Sequence, residues 1–380
     1  MASHRVYLDW NATTPLHPEA LAAMTSALSF AGNPSSVHAE GRAARRIVET
    51  ARQAVAKTVG VDSGAVIFTS GGTEANTLAL TPQTAHPRLL VSAIEHASVL
   101  AGGRYAPAAI ETIRVHPNGL VDLDDLRQKL ASGPPALVAL MLANNETGVI
   151  QPVAEAAAIV HAAGGRLHVD AVQAFGKIPV HLKSLGADSL SLSAHKIGGP
   201  TGVGAMVLGH AVPSMEPLIR GGGQEQGRRG GTENLAGIAG FGAAVAASLA
   251  ETSQAVETLR NYLEQGLLDT RGVTVFGAET ARLPNTILFT APGLSAETAV
   301  IGFDLAGIAV SSGSACSSGK VQPSHVLAAM GVSPERARGA IRLSLGRSTT
   351  QDDVQRTIKA WRKLADTLLK HCDETQLERF

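Results

Sequence analysis

Short runs of Val, Ile and Leu alternate along this chain with longer stretches in which apolar residues return every third or fourth position. "AVIFTS" (65–70), "RLLVSAIEH" (88–96), "ALVALML" (136–142), "RLHVDA" (166–171) and "DSLSLSAHK" (188–196) predict strands. "AEGRAARRIVETARQAVAKTVG" (39–60), "VDLDDLRQKL" (121–130) and "PVAEAAAIVHAAGG" (152–165) predict helices between them. In the second of these, acidic residues open the helix and basic ones close it, as the helix dipole favours. This alternation argues for an α/β domain with a mostly parallel sheet flanked by helices. Near residue 255 the rhythm changes, and a smaller α+β C-terminal domain is expected. The boundaries are drawn as 13–255 for the large domain, with 1–12 and 256–380 forming the small one.

Charge narrows the function classes. Among 380 residues, Lys+Arg and Asp+Glu both number 32, which gives no electrostatic bias toward nucleic acid or an anionic membrane. The N-terminus "MASHRVYLDWNATTP" lacks the apolar core of a secretory signal. "LAGIAGFGAAVAASLA" (235–250) is too short and too rich in Gly and Ala for a membrane span, and a buried helix is expected there. Two cysteines, Cys316 and Cys372, make neither a disulfide framework nor a four-ligand zinc site. A cytoplasmic protein is the expectation.

Candidate chemistry gathers at predicted strand ends. "SLSAHKIGGP" (191–200) ends a strand in Ser193, His195 and Lys196, where open parallel sheets bind ligands. A lone lysine there is more often simply solvated. Asp170 changes the balance, because it ends another apolar strand with Gln173 just beyond. A lysine and a carboxylate at adjacent strand ends are what pyridoxal phosphate requires. The lysine forms a Schiff base, and the carboxylate keeps the pyridine nitrogen protonated. "FTSGGTEANTLAL" (68–80) runs from a strand through Gly71 and Gly72 into a helix, offering free N–H groups to a phosphate, with Thr73 as the expected N-cap. The established nucleotide fingerprints fail: Val207 stands where "GVGAMV" (202–207) would need its third glycine. His96 ends a strand, where a histidine beside a planar cofactor would stack and shuttle protons. In "GAIRLSLGR" (339–347), Ile341, Leu343 and Leu345 share one face, leaving Arg342 and Ser344 on the other. Arg342 there would hold a carboxylate with a bidentate fork, or form a surface ion pair.

Ten segments in order resemble the cysteine desulfurases, fold-type I pyridoxal-phosphate enzymes related to the class V aminotransferases. They include "YLDWNATTP" (7–15), "GNPSSVH" (32–38), "TSGGTEAN" (69–76), "EHASV" (95–99) and "NNETGVIQP" (144–152). "HVDAVQAFGK" (168–177), "SAHKIGGPTGVGA" (193–205), "RRGGTEN" (228–234), "SSGSACSSG" (311–319) and "AIRLSLGR" (340–347) complete the set. The resemblance implies that Lys196 carries the cofactor, Asp170 pairs with its ring nitrogen and His96 stacks on the ring. Gln173 and Asn145 are then expected near the ring's phenolic oxygen, with Gly72, Thr73, Ser193 and His195 around the phosphate. It further implies a homodimer in which Thr232 reaches the neighbouring subunit's cofactor. Arg342 and Asn33 would grip the substrate α-carboxylate, with Asn145 close to the substrate as well. Lys196 would remove the α-proton of L-cysteine, and Cys316 would take its sulfur as a persulfide, leaving alanine.

The loop text "SSGSAC" resembles the NifS/IscS-like group I members, which serve iron–sulfur cluster assembly. That implies no resident metal, Cys316 as a transient ligand to a cluster iron, and a sulfur-acceptor or scaffold protein as partner. The residues after Arg347 lack the tail that group I members share for docking a scaffold, so the usual scaffold is left open. Gly199 and Thr201 replace residues often larger or basic in relatives. The rival readings are a selenocysteine lyase or another class V aminotransferase or lyase, and a non-enzymatic docking protein. Cys316 on its Gly/Ser loop separates the desulfurase reading from a transaminase, and the intact Lys196, Asp170 and His96 oppose the docking protein.

Overall fold

The computed structural model describes residues 5–209, 215–249, 253–313 and 324–369. Cys316 and Cys372 lie outside these residues. Along the chain the strands are β1 (Val6–Tyr7), β2 (Val66–Thr69), β3 (Arg88–Ser92), β4 (Ile110–Ile113), β5 (Ala136–Met141), β6 (Arg166–Asp170) and β7 (Ser189–Ser193). There follow β8 (Gly204–Leu208), β9 (Thr274–Val275), β10 (Thr286–Thr290), β11 (Ile308–Ala309), β12 (Ser311–Ser312) and β13 (Ile341–Ser344).

Seven strands form the main sheet in the order β2-β8-β7-β6-β5-β3-β4. β8 alone runs against the rest, so the C-terminal ends of the other six share one edge. The inner strands are buried at every position or nearly so, which is why they read as uninterrupted apolar runs. Helix Ala39–Val59 covers the sheet with Ala44, Val48, Ala51, Val55 and Val59, spaced three to four apart. His38 caps its start by accepting from Gly41 N, and Gly60 ends it at φ 73°, a conformation glycine adopts without cost. Helix Leu235–Leu249 packs Ile238, Phe241 and Val245 into the same core. No single helix among the described residues is long and apolar enough to cross a membrane.

A second apolar core forms from both ends of the chain. Val6 and Leu8 join Leu263, Phe289, Phe303, Leu343 and Trp361 there, with the Trp361 ring edge-on to Phe289 at 5.0 Å. The four-stranded sheet β12-β13-β10-β9 is antiparallel, and β1 pairs with β11 beside it. Helix Gln351–Leu368 closes this core and starts with a capping box between Thr350 and Asp353. Ile341, Leu343 and Leu345 do face that core together, while Arg342 and Ser344 point away from it toward the large sheet.

Candidate active site

Chain direction in the main sheet reverses between β3 and β5, because the chain passes outward to β4 before returning. Crevices at such reversals, beyond the C-terminal strand ends, are where open α/β sheets bind ligands. A cavity of about 280 Å³ lies there. Asp170 is the last residue of β6 and Ser193 the last of β7, and the two strands are parallel neighbours. The strand expected over 188–196 stops at Ser193. A 3₁₀ turn, Ala194–Lys196, then lifts Lys196 over the edge, with Ile197 N and Gly199 N both bonded to Ala194 O.

Gly72, Thr73, His96, Asn145, Asp170, Gln173, Ser193, His195, Lys196 and Arg342 all line this one cavity. Two expected residues do not. Asn33 is exposed on its own loop, where its Oδ1 accepts from Ser35 N at 2.8 Å. A carboxylate grip by the Arg342–Asn33 pair is therefore not assembled within one subunit. Thr232 is exposed and away from the cavity of its own chain.

The helix after β2 runs from Gly72 to Ala79, and its N-cap is Gly71 rather than Thr73, which sits one position inside it. Close packing explains the choice: a Cβ on Gly204 of β8 would lie 2.6 Å from the Gly71 carbonyl carbon, and one on Gly72 2.8 Å from Val172 Cγ2. The first-turn N–H groups have no partner within the helix. Asp170 is held by two bonds, Oδ2 accepting from Asn76 Nδ2 at 2.8 Å and Oδ1 from Val172 N at 2.9 Å. His96 caps helix Ala97–Leu100, with Nδ1 2.8 Å from Ser98 Oγ. Lys196 Nζ donates to Asn11 O at 2.6 Å and Ala12 O at 2.9 Å. Arg342, about 1% exposed, donates to Asn145 O at 3.0 Å and pairs with Asp9 at 2.8 Å. Its Nε has no partner, so the guanidinium is not saturated by the protein.

Burial sets the charge states around this cavity. Glu95 is pushed well above the ordinary carboxyl range, by burial first and then by neighbouring Asp170, against its bond from Met141 N. Glu146 is raised to about 7 by burial, opposed by the Ser324 hydroxyl and Arg342. His195 falls to about 4 through burial and the nearby Lys196. His168, wholly enclosed, falls to about 3 and stays neutral beneath Asn76.

Several site residues escaped the sequence reading. Asn11, inside "YLDWNATTP", gives its backbone oxygen to Lys196 and Gln173 and its side chain to Lys177, Asn285 and Thr286. Asn76 links His168 to Asp170. Both are asparagines inside quoted motifs, and full burial at about 1% exposed is what marks them. A larger cavity of about 530 Å³ lies on the far side of Lys196, but neither Asp170 nor Gly72 lines it.

The donor set fits pyridoxal phosphate. The cavity offers one amine for its aldehyde, one doubly bonded carboxylate for its ring nitrogen, and a glycine turn opening a helix for its phosphate. With the mostly parallel sheet, this defines a fold-type I pyridoxal-phosphate enzyme. The chain matches the family described as Aminotransferase class-V over residues 6–357. It is 45% identical over 375 residues to a cysteine desulfurase of Cereibacter sphaeroides, covering 96% of each chain. It is 40% identical over 379 residues to the cysteine desulfurase IscS of Dictyoglomus turgidum, covering 96% of this chain and 95% of that one. Its structure superposes on a NifS-like protein from Rickettsia africae with TM-score 0.89 and 40% identity, covering 96% of this chain and 100% of that one. The chain belongs to the class-V aminotransferase family, in its cysteine desulfurase branch.

Proposed function

We propose that this enzyme removes sulfur from L-cysteine, giving L-alanine and a persulfide on Cys316 that is passed to an acceptor for iron–sulfur cluster assembly. The observation that carries this reading is the meeting of Lys196, Asp170, His96 and the Gly72 turn around one cavity. Pyridoxal phosphate, when bound, supplies an electron sink for the charge left as the substrate α-proton departs.

The chain's own residues do the rest. Lys196 holds the cofactor and moves the α-proton, with its Nζ already steadied by two backbone oxygens. Asp170, its orientation fixed by Asn76 and Val172, would pair with the ring nitrogen. Gly72, Thr73, Ser193 and His195 would hold the phosphate, where a neutral His195 donates without adding charge. His96 would stack on the ring, and Gln173 and Asn145 would serve its phenolic oxygen. Arg342 lines the cavity and binds the substrate carboxylate with the terminal guanidinium N–H groups left over from Asn145 and Asp9. The Cys316 thiolate forms an S–S bond to the substrate sulfur as the substrate's Cβ–S bond breaks. The carbon fragment gains a proton and leaves as alanine. Thr232, exposed and outside its own cavity, serves the second subunit of a cytoplasmic homodimer. We divide the chain into 13–255 and a small unit of 1–12 with 256–380, a reading supported by the packing of Val6 and Leu8 with Leu263, Phe289 and Trp361.

A single-turnover incubation with L-cysteine, run beside Cys316→Ser, tests the reading. Matching yields of alanine and Cys316 persulfide in the parent are expected by mass spectrometry, with no persulfide in the variant. Alanine without persulfide in the parent would refute sulfur transfer through Cys316.

A further inference from the structure

Lys177 is a second amine close to Lys196, in the turn beyond β6. Its Nζ donates to Asn11 Oδ1 and to Gln173 Oε1, both at 2.8 Å. No carboxylate among the described residues pairs with it. The charged groups that face it are Lys196 and Arg342, both cations. Burial first, then these two cations, drive its amine well below the ordinary lysine range. A lysine kept in such a place gains nothing from ion pairing. A neutral amine has two N–H donors, and both are spent on the two amide oxygens.

Those bonds fix what the amides present elsewhere. With Oε1 turned to Lys177, Gln173 directs Nε2 to Asn11 O at 3.0 Å and keeps a second N–H for the cavity it lines. With Oδ1 turned to Lys177, Asn11 directs Nδ2 to Thr286 Oγ1 at 2.9 Å. Its backbone oxygen stays on Lys196. Removing the amine leaves Gln173 Oε1 without a donor, while Asn11 Oδ1 keeps Asn285 Nδ2 at 3.1 Å, so Gln173 is the amide that would turn to find another.

We propose that Lys177 is a positioning residue that clamps Asn11 and Gln173 together, so that Gln173 offers an N–H donor to the cofactor's phenolic oxygen. This rests on the placement of Gln173 at that oxygen. A donor there stabilises the oxygen's negative charge and weakens its hold on a neighbouring proton. Loss of the donor therefore raises the pH at which the cofactor's visible absorption titrates.

The test is a pH titration of the visible band in pyridoxal-phosphate-loaded parent, Lys177→Met, Gln173→Ala and the double variant. Lys177→Met is expected to raise the midpoint by about one pH unit, the worth of one buried hydrogen bond. The double variant is expected to match Gln173→Ala, since Lys177 acts through that side chain. An unmoved midpoint in Lys177→Met, or additive shifts in the double variant, would overturn the proposal. If Lys177→Met does not fold, Lys177→Gln decides instead: its neutral amide donor should give the parental midpoint, and a shifted one counts against the clamp. If Gln173→Ala leaves the parental midpoint in place, it is the placement of Gln173 at the ring oxygen that fails.

Discussion

Glu146 is buried behind Arg342, with its Oε2 accepting from the Ser324 hydroxyl. Replacing it with glutamine removes a titrating group while keeping the shape and an acceptor for Ser324. Burial holds this carboxyl at about 7, against 4.5 in the unfolded chain. Below 4.5 both states are protonated and the carboxyl costs nothing. Between 4.5 and about 7 the folded chain binds the proton more than the unfolded one, so stability falls as pH rises. Above about 7 the loss is complete. At 1.36 kcal/mol per pH unit it amounts to about 3 kcal/mol.

Glu146→Gln should therefore leave the loaded enzyme more stable than the parent at pH 8, by an amount approaching that figure. The difference should shrink toward zero at pH 5. Calorimetric melting of both proteins at pH 5, 6, 7 and 8 measures it, because every other titrating group is common to the two and cancels. An offset that stays constant with pH, or that grows toward acid, would refute the reasoning.

Two further substitutions probe the supports of the cofactor site. Asn76→Ala removes the Nδ2 donor from Asp170 Oδ2 and the Oδ1 partner of His168 Nε2. Retention of pyridoxal phosphate during dialysis should weaken about tenfold, the worth of one charge-assisted bond; unchanged retention would show that Val172 N suffices. Glu225→Gln leaves the buried Arg52 without the carboxylate that it grips at 2.6 Å and 2.9 Å. The same carboxylate accepts from Phe68 N in β2, the strand that leads into the Gly71 turn. A loss of about 3–5 kcal/mol is expected on denaturant unfolding, and a change under 1 kcal/mol would place the pair among those that contribute nothing.

The sheet was legible because β3, β5, β6 and β7 are enclosed on both faces, so burial imposes a continuous apolar run on each. Asp170 was legible because it ends such a run, and Lys196 because it follows one within three residues. The end of β7 was misjudged, since nothing in "SLSAHK" distinguishes an extended strand from one that bends after Ser193. The N-cap at Gly71 was missed for a related reason. Thr73 has the better capping side chain, yet packing against Gly204 and Val172 fixes where the helix begins. Arg342 gave its face correctly by alternation, but its pairing with Asp9 spans 333 positions and leaves no local trace. Asn11 and Lys177 escaped altogether, because nothing in the adjoining sequence shows that distant segments will enclose them.

Asn11 also shows how the two cores meet. One side of this residue bonds to the small core's sheet, through Ser344 Oγ, Thr286 Oγ1 and Asn285 Nδ2. The other side bonds to Lys196, Gln173 and Lys177 at the edge of the large sheet. Apolar packing tolerates small slips between surfaces, whereas hydrogen bonds of 2.6–3.1 Å lose most of their strength within an ångström. A seam built from such bonds therefore fixes the second core relative to Lys196 more tightly than a greasy interface would. β13, which carries Arg342, belongs to that second core, while Lys196 belongs to the first. On the roles proposed for Arg342 and Lys196, the substrate's carboxylate and its α-carbon are held by different halves of the molecule, and Asn11, with the Arg342 bond to Asn145 O, ties the two together.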